Sequence, residues 1–117
     1  MSKESSIPES VKVVIDMLLD KKVEDLQILD VSELVSYTDY FIIGSGNSTT
    51  HVKALADAVA ALIKIPGVGG VRMEGDQTSS WVLIDGGEYI LHLFQHDSRR
   101  YYNLEQLWED APRIAVA

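Results

Sequence analysis

At 117 residues the chain has the length of one domain, and 46% hydrophobic residues are enough to fill one core. It contains no cysteine, which excludes disulfide frameworks, cysteine-zinc sites and thiol nucleophiles together. Ten Lys and Arg against eighteen Asp and Glu leave a net charge of −8. Such a surface argues against binding a phosphate backbone and favours solubility or encounter with a basic partner.

The first ten residues carry Lys3, Glu4 and Glu9 and no apolar stretch, so they read as a polar lead and not as a signal peptide. No apolar run approaches the roughly 18–20 residues of a membrane span. A cytoplasmic location is the expectation. Ser6-Ile7-Pro8-Glu9 has the marks of a helix start, with proline in the first turn and acids at the positive end of the dipole. Val11, Val14, Ile15, Leu18 and Leu19 then form one apolar helical stripe, closed by Lys21 and Lys22.

Leu26, Ile28 and Val31 lie in a strand-like run ending near Ser32. Tyr40-Phe41-Ile42-Ile43 is continuously apolar, as expected of a central strand buried on both faces. Gly44-Ser45-Gly46-Asn47-Ser48 reads as a turn into a helix from Thr49 to Lys64, whose inner face carries Val52, Leu55, Ala56, Val59, Leu62 and Ile63. Pro66-Gly67 ends it. A strand is expected over Val68 to Met73, then a polar loop from Glu74 to Ser80.

Trp81-Val82-Leu83-Ile84 and Tyr89-Ile90-Leu91-His92-Leu93-Phe94 flank Asp85-Gly86-Gly87-Glu88, a hairpin signal, because glycines supply the positive φ of a tight turn. A short helix near Leu104 to Asp110 precedes Pro112. The order α-β-β-α-β-β-β-α predicts an α/β (α+β) single domain over residues 11–111, a mixed sheet flanked by helices, with a tail from 112 to 117.

Tests for chemistry return little. Gly44-Ser45-Gly46 lacks the third glycine of a dinucleotide fingerprint, and no Walker lysine follows. The aspartates never occur as Asp-x-Asp, the pattern that would gather carboxylates on magnesium. His92 and His96 are four residues apart, too far along an extended strand to share an ion unless the strand ends between them. His51, at a helix start, is expected to cap or pack. No Gly-x-Ser-x-Gly elbow occurs. The expectation is no catalytic residue, no metal and no cofactor.

The last third is rich in Trp81, Tyr89, Phe94, Tyr101, Tyr102 and Trp108, interleaved with Glu88, Asp97, Glu105, Glu109 and Asp110. Trp and Tyr are frequent binding anchors. They also build the cores of small sheets, and Tyr89 and Phe94 are expected inside.

Five segments, Tyr37-Thr38-Asp39-Tyr40-Phe41-Ile42-Ile43, His51-Val52-Lys53-Ala54-Leu55-Ala56-Asp57, Glu74-Gly75, Trp81-Val82-Leu83-Ile84-Asp85 and Tyr101-Tyr102-Asn103-Leu104-Glu105-Gln106-Leu107-Trp108, occur in this order. Together they resemble the ribosomal silencing factor family, also called Iojap. Thr50 and Ser79-Ser80 depart from the family's usual arginine and Gly-Glu at those places.

The resemblance implies a nucleotidyltransferase-like fold without catalytic carboxylates. It also implies a translational repressor that binds the large ribosomal subunit through ribosomal protein fourteen, at the face where the small subunit docks, and so hinders joining when nutrients are scarce. Carried onto this chain, the partner surface would comprise Glu74, Gly75, Trp81, Asp85, His92, Tyr101, Tyr102, Leu104, Glu105 and Trp108. Tyr101 and Trp108 have an equal structural reading, as pins of the terminal helix. A homodimer through an exposed strand edge is a further expectation. The alternatives are a large-subunit biogenesis factor and a residual nucleotide binder at the Gly44-Ser45-Gly46 turn.

Overall fold

The structure, a computed structural model, describes residues 7–62, 72–75 and 81–114. In chain order the elements are α1 (Glu9–Asp20), β1 (Glu24–Asp30), β2 (Tyr40–Gly46), α2 (Thr49–Leu62), β3 (Arg72–Gly75), β4 (Trp81–Asp85), β5 (Tyr89–Gln95), α3 (His96–Tyr102), α4 (Leu104–Leu107) and β6 (Arg113–Ile114). The strands form one sheet in the order β3-β4-β5-β2-β1-β6. Among the described strands β2 and β5 run parallel and the other neighbours are antiparallel, so the sheet is mixed, as expected. The apolar run of β2 sits inside the sheet and is buried throughout after Tyr40.

Period-two alternation assigns the strand residues to two cores. Ile28, Ile42, Val82, Ile84, Leu91 and Leu93 meet the stripes of α1 and α2, Val11, Val14, Ile15 and Leu18 with Val52, Leu55, Ala56 and Val59. Tyr89 joins this core and Phe94 the opposite one, both buried as expected. On that opposite face Leu29, Phe41, Ile43 and Phe94 form the second core, with Val31 and Ala111.

Local chemistry explains the joints. Pro8 precedes α1, and its carbonyl accepts from the N–H groups of Val11 and Lys12. Lys22 ends the helix in the left-handed region (φ 62°), with Lys22 N–H donating to Leu19 and Val23 N–H to Leu18. The expected hairpin is present: β4 pairs with β5, Gly87 has φ 87°, and Asp85 Oδ1 accepts from the Gly87 N–H at 3.0 Å.

Several boundaries differ from the sequence reading. Gly44, Ser45 and Gly46 are the end of β2, not a turn, and only Asn47 and Ser48 connect it to α2. A β-carbon on Gly46 would lie 2.9 Å from the Val52 backbone nitrogen, so glycine there permits a close strand–helix approach. Glu74 and Gly75 belong to β3, paired opposite Leu83 and Val82, and not to a loop. The strand expected from Val68 begins, among the described residues, at Arg72; residues 68–71, and Ile63 and Lys64 of the expected helix, lie outside them.

The helix expected near Leu104 to Asp110 is the shorter α4, and α3, which the sequence reading did not expect, precedes it across Asn103 with its φ of 47°. Residues assigned to the tail pair with β1 as β6, Ile114 opposite Ile28 and Arg113 opposite Leu29. Ile7, assigned to the polar lead, is buried in the first core.

Candidate partner-binding face

On the second face the side chains of β4 and β5 build a continuous aromatic array. Trp81 stacks on Phe94 with centroids 5.4 Å apart, and its Nε1–H donates to His92 Nδ1 at 3.2 Å. His92 lies nearly parallel to Phe94 and meets Phe41 edge-on at 5.4 Å. Phe41 meets Trp108 edge-on at 5.3 Å. The array crosses β4, β5 and β2 and reaches the segment after α4.

Because Nδ1 accepts from the indole, His92 must be neutral, with its proton on Nε2. Burial favours the same state and lowers its pKa to about 4. Both rings are therefore fixed in orientation before any partner arrives. His92 and Phe94 are buried, whereas Trp81, Leu83, Asp85 and Ile90 are half-buried. They form the accessible strip beside the array.

The residues marked by the sequence divide into four groups. Trp81, His92, Leu104 and Trp108 converge on the second face, with Asp85 on the same side of β4. Trp108 packs on Phe41 and so pins the segment after α4, as its structural reading had it. Tyr101 stands on α3 with 83% of its surface exposed. Tyr102 closes α3. Glu74 and Gly75 hold places in β3 beside β4. Glu105 is turned away to Arg99, whose Nε donates to it at 3.1 Å. It is occupied inside the domain.

The sequence reading passed over Leu83, Ile90 and Phe41. Alternation from Trp81 and His92 along the two hairpin strands would have placed the first two on this face. Phe41 carried no local signal, because a strand buried on both sides has no polar alternation to mark its faces. Exposed Tyr37, 6.4 Å from Phe41, extends the aromatic surface.

The histidines separate as chemistry requires. β5 ends between His92 and His96, yet His96 Nε2 faces Glu24 Oε1 at 2.6 Å while His92 serves Trp81. His51 caps the start of α2: its Nδ1 accepts from the Asn47 N–H at 3.0 Å, and Nε2 meets the Lys21 carbonyl. Among the described residues no group of three or more His, Asp or Glu could hold a metal ion, and no helix is long and apolar enough to cross a membrane.

The domain is a mixed α/β sheet with one face under helices and an aromatic strip on the other. The family model described as "ribosomal silencing factor during starvation" matches residues 4–117, and the chain belongs to that family. It is 37% identical over 108 residues to a ribosomal silencing factor from Halalkalibacterium halodurans, covering 92% of each chain. Over 93 residues it is 42% identical to the Bacillus subtilis factor, covering 80% of this chain and 79% of that one.

A crystal structure of a Chromobacterium violaceum protein superposes with a TM-score of 0.80 at 37% identity, covering 93% of this chain and 92% of the other. The family's name describes a regulatory, ribosome-associated factor and names no catalytic activity.

Proposed function

We propose that this chain is a translational repressor that binds the large ribosomal subunit through ribosomal protein fourteen and prevents the small subunit from joining by occupying its docking space. The observation that carries the reading is the strip of half-buried Trp81, Leu83, Asp85 and Ile90 beside buried His92 and Phe94. It offers a fixed aromatic anchor with a carboxylate at its edge. Aromatic anchors at the centre of an interface carry most of its energy.

The net charge of −8 supports a protein partner over bare RNA, because ribosomal proteins are basic where they meet RNA. Asp85 and Glu109 would answer the Lys and Arg of that partner, while Trp81 is buried against it. An interface of about 800 Å² per partner fits a domain this small.

The repression needs no turnover and no cofactor; it is steric, acts in the cytoplasm and responds to nutrient limitation. A homodimer through a sheet edge would be a storage form that opens before the ribosome is met. The test mixes purified large and small subunits with and without the full chain and follows their association by light scattering. The expected result is a dose-dependent loss of joined ribosomes when the chain is added before mixing. Joining at an unchanged rate and extent overturns the proposal.

A further inference from the structure

The carboxyl ends of the parallel strands β2 and β5 lie side by side, with Gly46 opposite Gln95. From there the chain leaves toward opposite faces. β2 leads into α2 on the first core, and β5 leads through α3 into α4, whose Leu104 packs on the second.

Between β1, β6 and the α3–α4 segment lies an open cavity of about 560 Å³, within the usual range for a small-molecule site. Every described residue lining it is polar or charged, among them Arg99, Arg100, Arg113, His96, Asp25 and Glu105. Three of the chain's four arginines therefore face one cavity in a protein whose net charge is −8.

Their arrangement centres on one anchored arginine. Arg99 is only 8% exposed. Its Nη1 donates to Ser45 Oγ at 2.7 Å and its Nε to Glu105 Oε1 at 3.1 Å, which fixes the guanidinium plane. Two N–H groups are spent on this anchorage, and a guanidinium has five. Arg113, exposed on β6, forms no ion pair among the described residues. Among the described residues Arg100 pairs with Asp97 on its own helix, where both are solvent-exposed and the pair is worth little. Of the two lining carboxylates, Glu105 is already neutralised by Arg99, and Asp25 faces His96 Nδ1 at 3.9 Å.

We infer that this cavity binds a small phosphorylated ligand, whose phosphate is held by Arg113 and Arg100 against the anchored Arg99. Planar guanidinium forks match phosphate oxygens in pairs, which a lone lysine cannot do. The polar and charged residues of the described lining suit the anionic head of such a ligand. The size of the cavity and the acidity of the rest of the surface favour a small molecule over an RNA strand. This site uses none of the strip around Trp81, so it stands or falls independently of subunit binding.

The test is isothermal titration calorimetry of the full chain with inorganic pyrophosphate at physiological ionic strength. Saturable one-to-one binding is expected, weakened about tenfold or more by Arg113→Ala and also weakened by Arg100→Ala, since each removes charge-assisted bonds. Circular dichroism confirms that both variants fold; both side chains lie at the surface, so neither is needed for the core. No saturable heat, or binding that both variants leave unchanged, overturns the inference. A single-stranded RNA that binds through Arg113 when pyrophosphate does not would also overturn it, assigning the arginines to a nucleic-acid backbone.

Discussion

The indole N–H of Trp81 is directed at Nδ1 of His92, 3.2 Å away, so a half-buried tryptophan at the start of β4 is oriented by a histidine buried in β5. A charged imidazole would turn Nδ1 into a donor and abolish the bond. The link between these residues couples the shape of the candidate surface to the protonation state of a group that solvent hardly reaches.

Acid should therefore loosen the domain through His92. Burial holds its folded pKa at about 4, below the ordinary 6.5 expected once the chain unfolds. Between those values the unfolded chain takes up a proton that the folded one refuses. Stability is thus unaffected by this group above about pH 6.5 and falls as pH drops toward 4, by at most about 3 kcal/mol. Urea denaturation across that pH range checks it. His92→Gln, whose side-chain oxygen can still accept from Trp81, should flatten the dependence; an equally steep profile in the variant would assign the acid sensitivity to the carboxylates instead.

Arg99 holds the end of β2 to α3 and α4 through Ser45 and Glu105. Arg99→Ala would leave a buried hydroxyl and a largely enclosed carboxylate without their partner. The expected loss is about 2–3 kcal/mol, below that of a fully buried pair because 23% of the Glu105 side chain stays in water. Chemical denaturation measures it, and a loss under about 0.5 kcal/mol would show that the contact is incidental.

Gly46→Ala tests what the glycine-rich strand end is for. Its β-carbon would meet the backbone nitrogen of Val52 at 2.9 Å, and backbone cannot rotate away as a side-chain tip can. A destabilisation of about 1–3 kcal/mol is expected from forcing strand and helix apart. A stability equal to the parent's would mean that the approach of α2 to β2 is softer than its geometry implies.

Most of the architecture was legible where one physical signal dominated. The helical stripe of α1, the unbroken apolar run of β2 and the Asp-Gly-Gly turn between β4 and β5 each specify their element locally. What was missed depends on distant partners. β6 has two residues and exists because β1 offers Ile28 and Leu29 an open edge. α3 is polar along its length and is fastened by Arg99 reaching Ser45, fifty-four positions away. Gly44-Ser45-Gly46 looked like a turn because glycine commonly marks one; here it extends a buried strand beneath a close helix.

The candidate site was legible in part for the same reason. Trp81, Asp85 and His92 share a face by simple alternation once the hairpin is recognised. Glu105 could not be removed from the surface by sequence, since its partner Arg99 lies on the far side of the break at Asn103.

Co-sedimentation with isolated large ribosomal subunits, run beside Trp81→Ala, puts the central claim to its most direct trial. The folded chain should pellet with free large subunits and stay in the supernatant with joined ribosomes. Trp81→Ala, folded by circular dichroism, should bind more weakly by over about 1 kcal/mol, roughly a fivefold loss of affinity. A folded parent chain that stays in the supernatant with free large subunits at low salt would contradict the account; full binding by the variant would remove Trp81 from the contact.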